Sequence, residues 1–368
     1  MVIAPFEDSF YATAFRVDFI DKEIRKLWQK RMAGAGEREK LKEIFSLAFY
    51  PNSYKVIFTL GPQEAVSRYE RIFWDRDDPK KLIDEAEIDN LTSGALLKLF
   101  DERRRVAMKQ FNLSELEVLL ADVKVHEFKI DGHRIINPLK HTGKKIEIFL
   151  NETFISRPRF AEWVAILPKR VKAAVFLGAG EATCHLISRF SRKQNFIFAG
   201  VGERRADLFI ATKGGINFLD SFNWGRVRLA EKLAKYLDIS PVSGEAILAK
   251  IVLGETSPAL RRKFGEILSG EVLALLRHLK KAVSRTGVPV LYTDLPALLV
   301  SKIFPKIIKT VDTEMIADFF GFRLNGELQN TGENVDFLSL TSILEFYFLP
   351  EEDLVNHLAR RRMRWLMP

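Results

Sequence analysis

A single cysteine, Cys184, stands among 368 residues. One thiol cannot close an internal disulfide or build a thiolate metal cage. It lies in the apolar run 182–187, and the adjacent His185 points elsewhere on either a helix or a strand, which argues against a Cys–His nucleophile. The expectation is a small buried side chain, in a compartment that is reducing or that needs no disulfides. Long apolar runs are missing too. None approaches the roughly 20 residues of a spanning helix. The first eleven residues carry Glu7 and Asp8 and no basic segment, unlike a signal peptide. No zinc-ligand spacing, recognition-helix pattern or basic-flanked pair of stacking aromatics is visible, so nucleic acid is not an expected partner. His126, His133 and His141 fall close together but match no metal-site spacing. They read as surface turn and strand residues, and no metal ligand or catalytic residue is assigned.

What is present is ordinary for a globular chain: 47% hydrophobic residues, 29% charged, and 29 Phe to fill cores. The length predicts two to four lobes. The net charge of +9 suits an anionic membrane or an acidic partner. Apolar and polar residues alternate over 9–24 as in adjacent half-buried strands. A charged helix over 37–48 and a strand over 54–60 follow. A helical pattern runs from Gly94 to Leu120, strands from 123–130 and 145–149, and a helix from 158–167. The second half restarts with strands at 196–198, 207–212 and 218–222, turned at Gly214-Gly215. Helices over 227–236, 244–252 and 260–285, a strand over 288–292 and a helix from about Pro296 complete it. Both halves thus read as three antiparallel strands, then helix and strand.

Such paired lobes resemble the actin, sugar-kinase and heat-shock ATPase superfamily. The stretch from Val125 through the Asp131-Gly132 turn and Asn137-Pro138 to Gly143 and Glu147 resembles the insert of the bacterial cell-division protein FtsA. There a strand, a Gly turn and an Asn-Pro lead into a second strand. Asp-Gly turns a hairpin, Asn-Pro forces an extended-to-turn transition, and the later Gly permits another turn. Gly244–Ile251 and Val288–Asp294 resemble further family segments. The resemblance implies an α/β, two-lobed actin-like (ribonuclease H-like) fold with a small α+β insert in the first lobe. The first lobe would take 1–84, 169–193 and a closing helix over 336–350, with the insert at 85–168. The second lobe would take 194–335, its outer subdomain at about 227–285. It also implies ATP or ADP with magnesium between the lobes, an FtsZ-like tubulin homologue as partner, and head-to-tail filaments.

The ligand loops depart from the family pattern. The first hairpin keeps Asp8 and Ser9 but loses its glycine to the neighbourhood of Phe10. In the second, Gly200 replaces the leading Asp, and Glu203-Arg204 replace two glycines. Gly202, Asp207, Gly225 and Lys250 remain, Arg204 and Arg205 could meet phosphate directly, and Thr293-Asp294 replace both glycines of the adenosine loop. Efficient hydrolysis is not expected, and a kinase would also need a general base near a sugar pocket, which is not seen.

The last segment, 351–368, reads as a basic amphipathic helix. Leu354, Val355, Leu358, Trp365 and Leu366 share one face, with Arg360, Arg361 and Arg364 opposite and Arg362 obliged to snorkel. That chemistry suits the anionic inner face of a cell membrane, and with it a cytoplasmic, peripheral protein. The alternative is a PilM-like pilus or secretion adaptor, which binds the tail of a membrane partner in a groove and needs no membrane helix.

Overall fold

The computed structural model describes residues 1–6, 9–33, 36–47, 54–252, 255–288, 290–295, 308–325, 334–347 and 353–366. The alternation near the start becomes β2 (Ser9–Asp18) and β3 (Glu23–Ala33), an antiparallel pair flanked by β1 (Val2–Phe6). The Asp18 carboxylate takes the Ile20 and Asp21 amides and closes the turn between them. After α1 (Glu37–Leu47), β4 (Tyr54–Leu60) and β9 (Val171–Gly178) add in parallel, and β15 (Arg323–Asn325) covers the β3 edge. The first sheet therefore runs β15-β3-β2-β1-β4-β9.

The second lobe repeats this construction. Strands β10 (Phe196–Val201), β11 (Ala206–Ala211) and β12 (Gly215–Phe222) form the meander, and β13 (Leu291–Thr293) and β14 (Ile308–Thr310) add in parallel. Its outer part is helical: α5 (Arg226–Leu237), α6 (Pro241–Val252) and α7 (Pro258–Thr286). The strand expected over 288–292 is confined to β13, and the helix expected from Pro296 lies outside the described residues.

A strand not foreseen, β5 (Ala65–Asp75), changes how the insert sits. Its charged residues obscure the pattern, but they find partners. Glu70 pairs with Arg103, and Arg71 with Glu127 and Glu147. It pairs along its whole length with β8 (Lys145–Ser156), which pairs with β6 (Val118–Ile130) and so reaches the short β7 (His133–Arg134). On its other edge β5 meets β12, with Gly215 opposite Glu70 and Ile216 opposite Tyr69. The insert strands thereby extend the second lobe's sheet to the order β14-β13-β10-β11-β12-β5-β8-β6-β7. Gly215 is required at this seam, because a Cβ there would lie 2.0 Å from the Tyr69 carbonyl oxygen.

Helix α2 (Glu85–Phe111) starts earlier than the apolar pattern suggests. Asp84 caps it by accepting the Glu87 amide at 2.8 Å. It stops at Asn112 in the left-handed conformation, so residues 118–120, expected as helix, open β6 instead. Helices α4 (Ala179–Ser191) and α9 (Asn334–Tyr347) lie between the two sheets and share one core with both. Cys184 is buried there, and burial pushes its thiol well above the ordinary range. The short α3 (Arg157–Ala165) and α8 (Thr313–Phe319) complete the described helices.

The terminal helix α10 (Leu354–Leu366) docks on the body. Val355, Leu358 and Ala359 are buried in the insert core beside α2 and β6. Arg362 does not snorkel: with Arg361 it pairs with Asp89 on α2. Val355 and Leu358 of the apolar face expected to meet lipid are therefore covered by the chain itself, while Trp365 is left exposed.

Candidate functional site

Between the lobes lies a cavity of about 60 Å³, lined by Pro5, Thr59, Gly61, Gly180, Gly202 and Asp207 among others. It sits where the paired hairpins of the two sheets face each other. Two aromatic rings, Phe198 and Phe209, line it. Phe198 stacks near Phe209 at 6.3 Å and near Phe337 at 6.3 Å. Phe209 reaches the head of α4, where a Cβ on Gly180 would lie 2.0 Å from its ring.

The second hairpin keeps its shape by using its own donors. The Gly202 amide donates to the Arg205 carbonyl at 2.9 Å. The first amides of α5 are spent on the same loop, Arg226 N on Gly202 O at 3.0 Å and Val227 N on Glu203 O at 2.9 Å. Gly225 permits this, since a Cβ there would lie 2.1 Å from the Glu203 carbonyl oxygen. A helix start whose N–H groups already have acceptors is not a phosphate cradle. Glu203 itself crosses the cleft. Its carboxylate accepts from the Tyr11 hydroxyl and pairs with Arg31 at 3.2 Å, both on the first sheet.

The other expected residues are placed as follows. Asp207 pairs with Arg205 at 3.1 Å. Arg204 is exposed at the hairpin tip. Ser9 is buried and accepts from Arg31 at 3.4 Å. Thr293 is buried and donates to the Ala199 carbonyl at 3.0 Å. Lys250 is exposed on α6, away from the cavity lining. Asp8 lies outside the described residues. Asp294 ties the end of β13 to β10 by accepting the Val201 amide at 2.9 Å, and burial pushes its carboxyl up to about 6 against the pull of Arg226. A nucleotide with magnesium needs free backbone donors and a cavity of several hundred Å³. Among the described residues, those present do not fit that group.

Of the terminal-helix residues, Val355 and Leu358 are buried, and Leu354, Arg360 and Leu366 are half-buried. Arg361, Arg364 and Trp365 are exposed, Trp365 by 79%.

Sequence reasoning missed a second polar centre, between α4, α9 and the insert strands. Tyr69, His126, His185 and Glu345 meet there, all buried. His185 Nδ1 lies 2.9 Å from Glu345 Oε1, and the Tyr69 hydroxyl donates to that oxygen at 3.0 Å. His126 was expected at the surface. It is instead the extra residue of a β-bulge between Val125 and Glu127, which turns its ring inward. Burial and the neighbouring His185 push His126 down to about 3, and burial raises the Tyr69 hydroxyl well above its ordinary range. Burial alone would raise Glu345, but His185 and His126 hold its carboxyl below the ordinary range. Residues so far apart in the chain give no spacing signal.

No protein-family model matches the sequence, and neither does any curated protein. Among solved structures, the chain is similar to a chain of a PilM–PilN type IV pilus biogenesis complex. The two are 12% identical over 93% of this chain and 97% of that one, with a TM-score of 0.51. An apo psk41 ParM protein matches at 8% identity over 94% and 98%, with a TM-score of 0.35. The archaeal actin homologue Ta0583 matches at 11% over 88% and 80%, with a TM-score of 0.34. The chain has a two-lobed, actin-like α/β fold. At these identities the likeness is one of fold. Among the described residues no helix is long and apolar enough to cross a membrane.

Proposed function

We propose that this chain is an actin-like adaptor that holds a partner protein and does not turn over nucleotide. The observation that carries the reading is the small cleft of about 60 Å³, lined by Phe198 and Phe209, with its hairpin donors already spent. A PilM-like role is favoured, in which a short cytoplasmic segment of a membrane protein is bound. An open groove of about 560 Å³ between the insert and the second lobe, lined by Gln110, Phe111, Ser156 and Phe218, offers room for an extended segment. Isothermal titration of ATP and ADP into the full chain, with and without magnesium, tests the cleft. No heat up to millimolar nucleotide is expected, and micromolar binding would sink the reading.

The second reading is an FtsA-like scaffold, tethered to the inner membrane surface and anchoring FtsZ-type filaments while itself polymerising. Exposed Trp365, beside exposed Arg361 and Arg364, favours it, as does the Asp131-Gly132 turn with both residues at positive φ. Sedimentation of the full chain with phosphatidylglycerol vesicles, run beside an R361E/R364E/W365E variant, separates the two. Binding lost in the variant would favour the tethered scaffold, and no binding by the unaltered chain would favour the adaptor.

A further inference from the structure

The buried centre at His126 is built as metal sites are built. The bulge that turns His126 inward would leave the Val125 backbone unpaired, and the Asn356 side chain repairs it. Its oxygen accepts the Val125 amide at 2.8 Å and its nitrogen donates to the Val125 carbonyl at 2.9 Å. On the outer side of the ring, His126 Nε2 lies 3.0 Å from Asn151 Oδ1, while the Asn151 amide donates to Thr153. Asn151 Oδ1 therefore takes the Nε2 proton, and Nδ1 is left as a lone pair. That atom is buried with no hydrogen-bond partner. It faces Glu345 Oε1 at 3.4 Å, an oxygen that carries lone pairs of its own. A cation between the two atoms would satisfy both lone pairs.

We propose that His126, His185, Glu345 and Tyr69 hold one divalent transition-metal ion, zinc by the donor set, in a closed structural site. Ligands of tetrahedral zinc sit about 2.0–2.1 Å from the ion and hence roughly 3.3 Å from one another. Around Glu345 Oε1 the other three donors stand at 2.9 Å, 3.4 Å and 3.0 Å. The potential His and Glu ligand atoms all fall within 4.8 Å of one another. Asn151 supplies the outer-shell acceptor that fixes the tautomer of a ligating histidine. The Tyr69 hydroxyl, 3.0 Å from Glu345 Oε1, stands as the fourth donor. With four protein donors and no open position, the ion is a staple joining β5, β6, α4 and α9.

The test uses the full chain without an affinity tag, loaded with zinc sulfate and dialysed, then with cobalt in its place. About one zinc per chain should survive dialysis, raise Tm over the chelator-treated protein, and in the cobalt form give the intense visible bands of a tetrahedral site. His126→Gln and His185→Gln should each lose the ion, while His133→Gln with His141→Gln keeps it. Should His185→Gln fail to fold, His126→Gln and the cobalt spectrum of the unaltered chain decide. No retained zinc, zinc retained by His126→Gln, or a weak octahedral cobalt spectrum would each overturn the site.

Discussion

At the head of α4 a single missing methyl group decides how close the lobes come. Replacing a helical glycine by alanine ordinarily gains up to about 1 kcal/mol. At Gly180 the new Cβ would meet the Phe209 ring at 2.0 Å, and both rings and helix are held by the shared core. Gly180→Ala is therefore expected to destabilise by about 1–3 kcal/mol in urea unfolding, with Phe209→Leu in the same chain restoring part of the loss. A Gly180→Ala protein as stable as the parent would mean that Phe209 does not pack against Gly180. The next residue sets a pH dependence. Burial, aided by Asp207, pushes the Glu181 carboxyl up to about 8, against its own backbone hydrogen bond and Arg68. The folded chain keeps this proton where the unfolded chain has lost it. The stability it contributes is full below the ordinary carboxylate range and drains away as pH rises through about 8. Midpoints measured from pH 5 to 9 should fall with pH, and Glu181→Gln should flatten that slope.

Single elements show which signals a sequence carries and which it cannot. The amphipathic pattern of the terminal helix was readable from Leu354, Val355 and Leu358. What covers that face was not, because α2 and β6 come from residues more than two hundred positions away. Asn356 had no assigned role, since its task depends on a bulge in β6 that leaves no mark in a strand of buried residues. Removing its amide strands two buried backbone groups, each at about 1–3 kcal/mol. Asn356→Leu should therefore lower the urea midpoint by more than a cavity-free surface change would. It should also speed hydrogen exchange along β6 and α10 before the second lobe responds. An unchanged midpoint would mean that water satisfies Val125 in its place.

Across the whole molecule the repeated lobes were legible, because Gly214-Gly215 and the alternating runs beside it are local signals. The insert was legible in the helical pattern from Gly94 and in the strand that runs into Asp131-Gly132. Its first strand hid behind Arg68, Glu70 and Arg71, whose partners the fold supplies later. The ligand loops lack glycines in the sequence itself, which gave no sign that Glu203, standing in place of one, bridges the lobes. The two-residue seam between β12 and β5 has a mechanical meaning. Clefts between lobes open by rigid-body rotation about a few flexible residues. Here that rotation must first break ladder hydrogen bonds across Gly215, so the molecule gives up a hinge. It behaves as a ruler, holding the outer edge of the insert and the helical end of the second lobe at a fixed separation, and whatever binds at one end is set in place relative to the other.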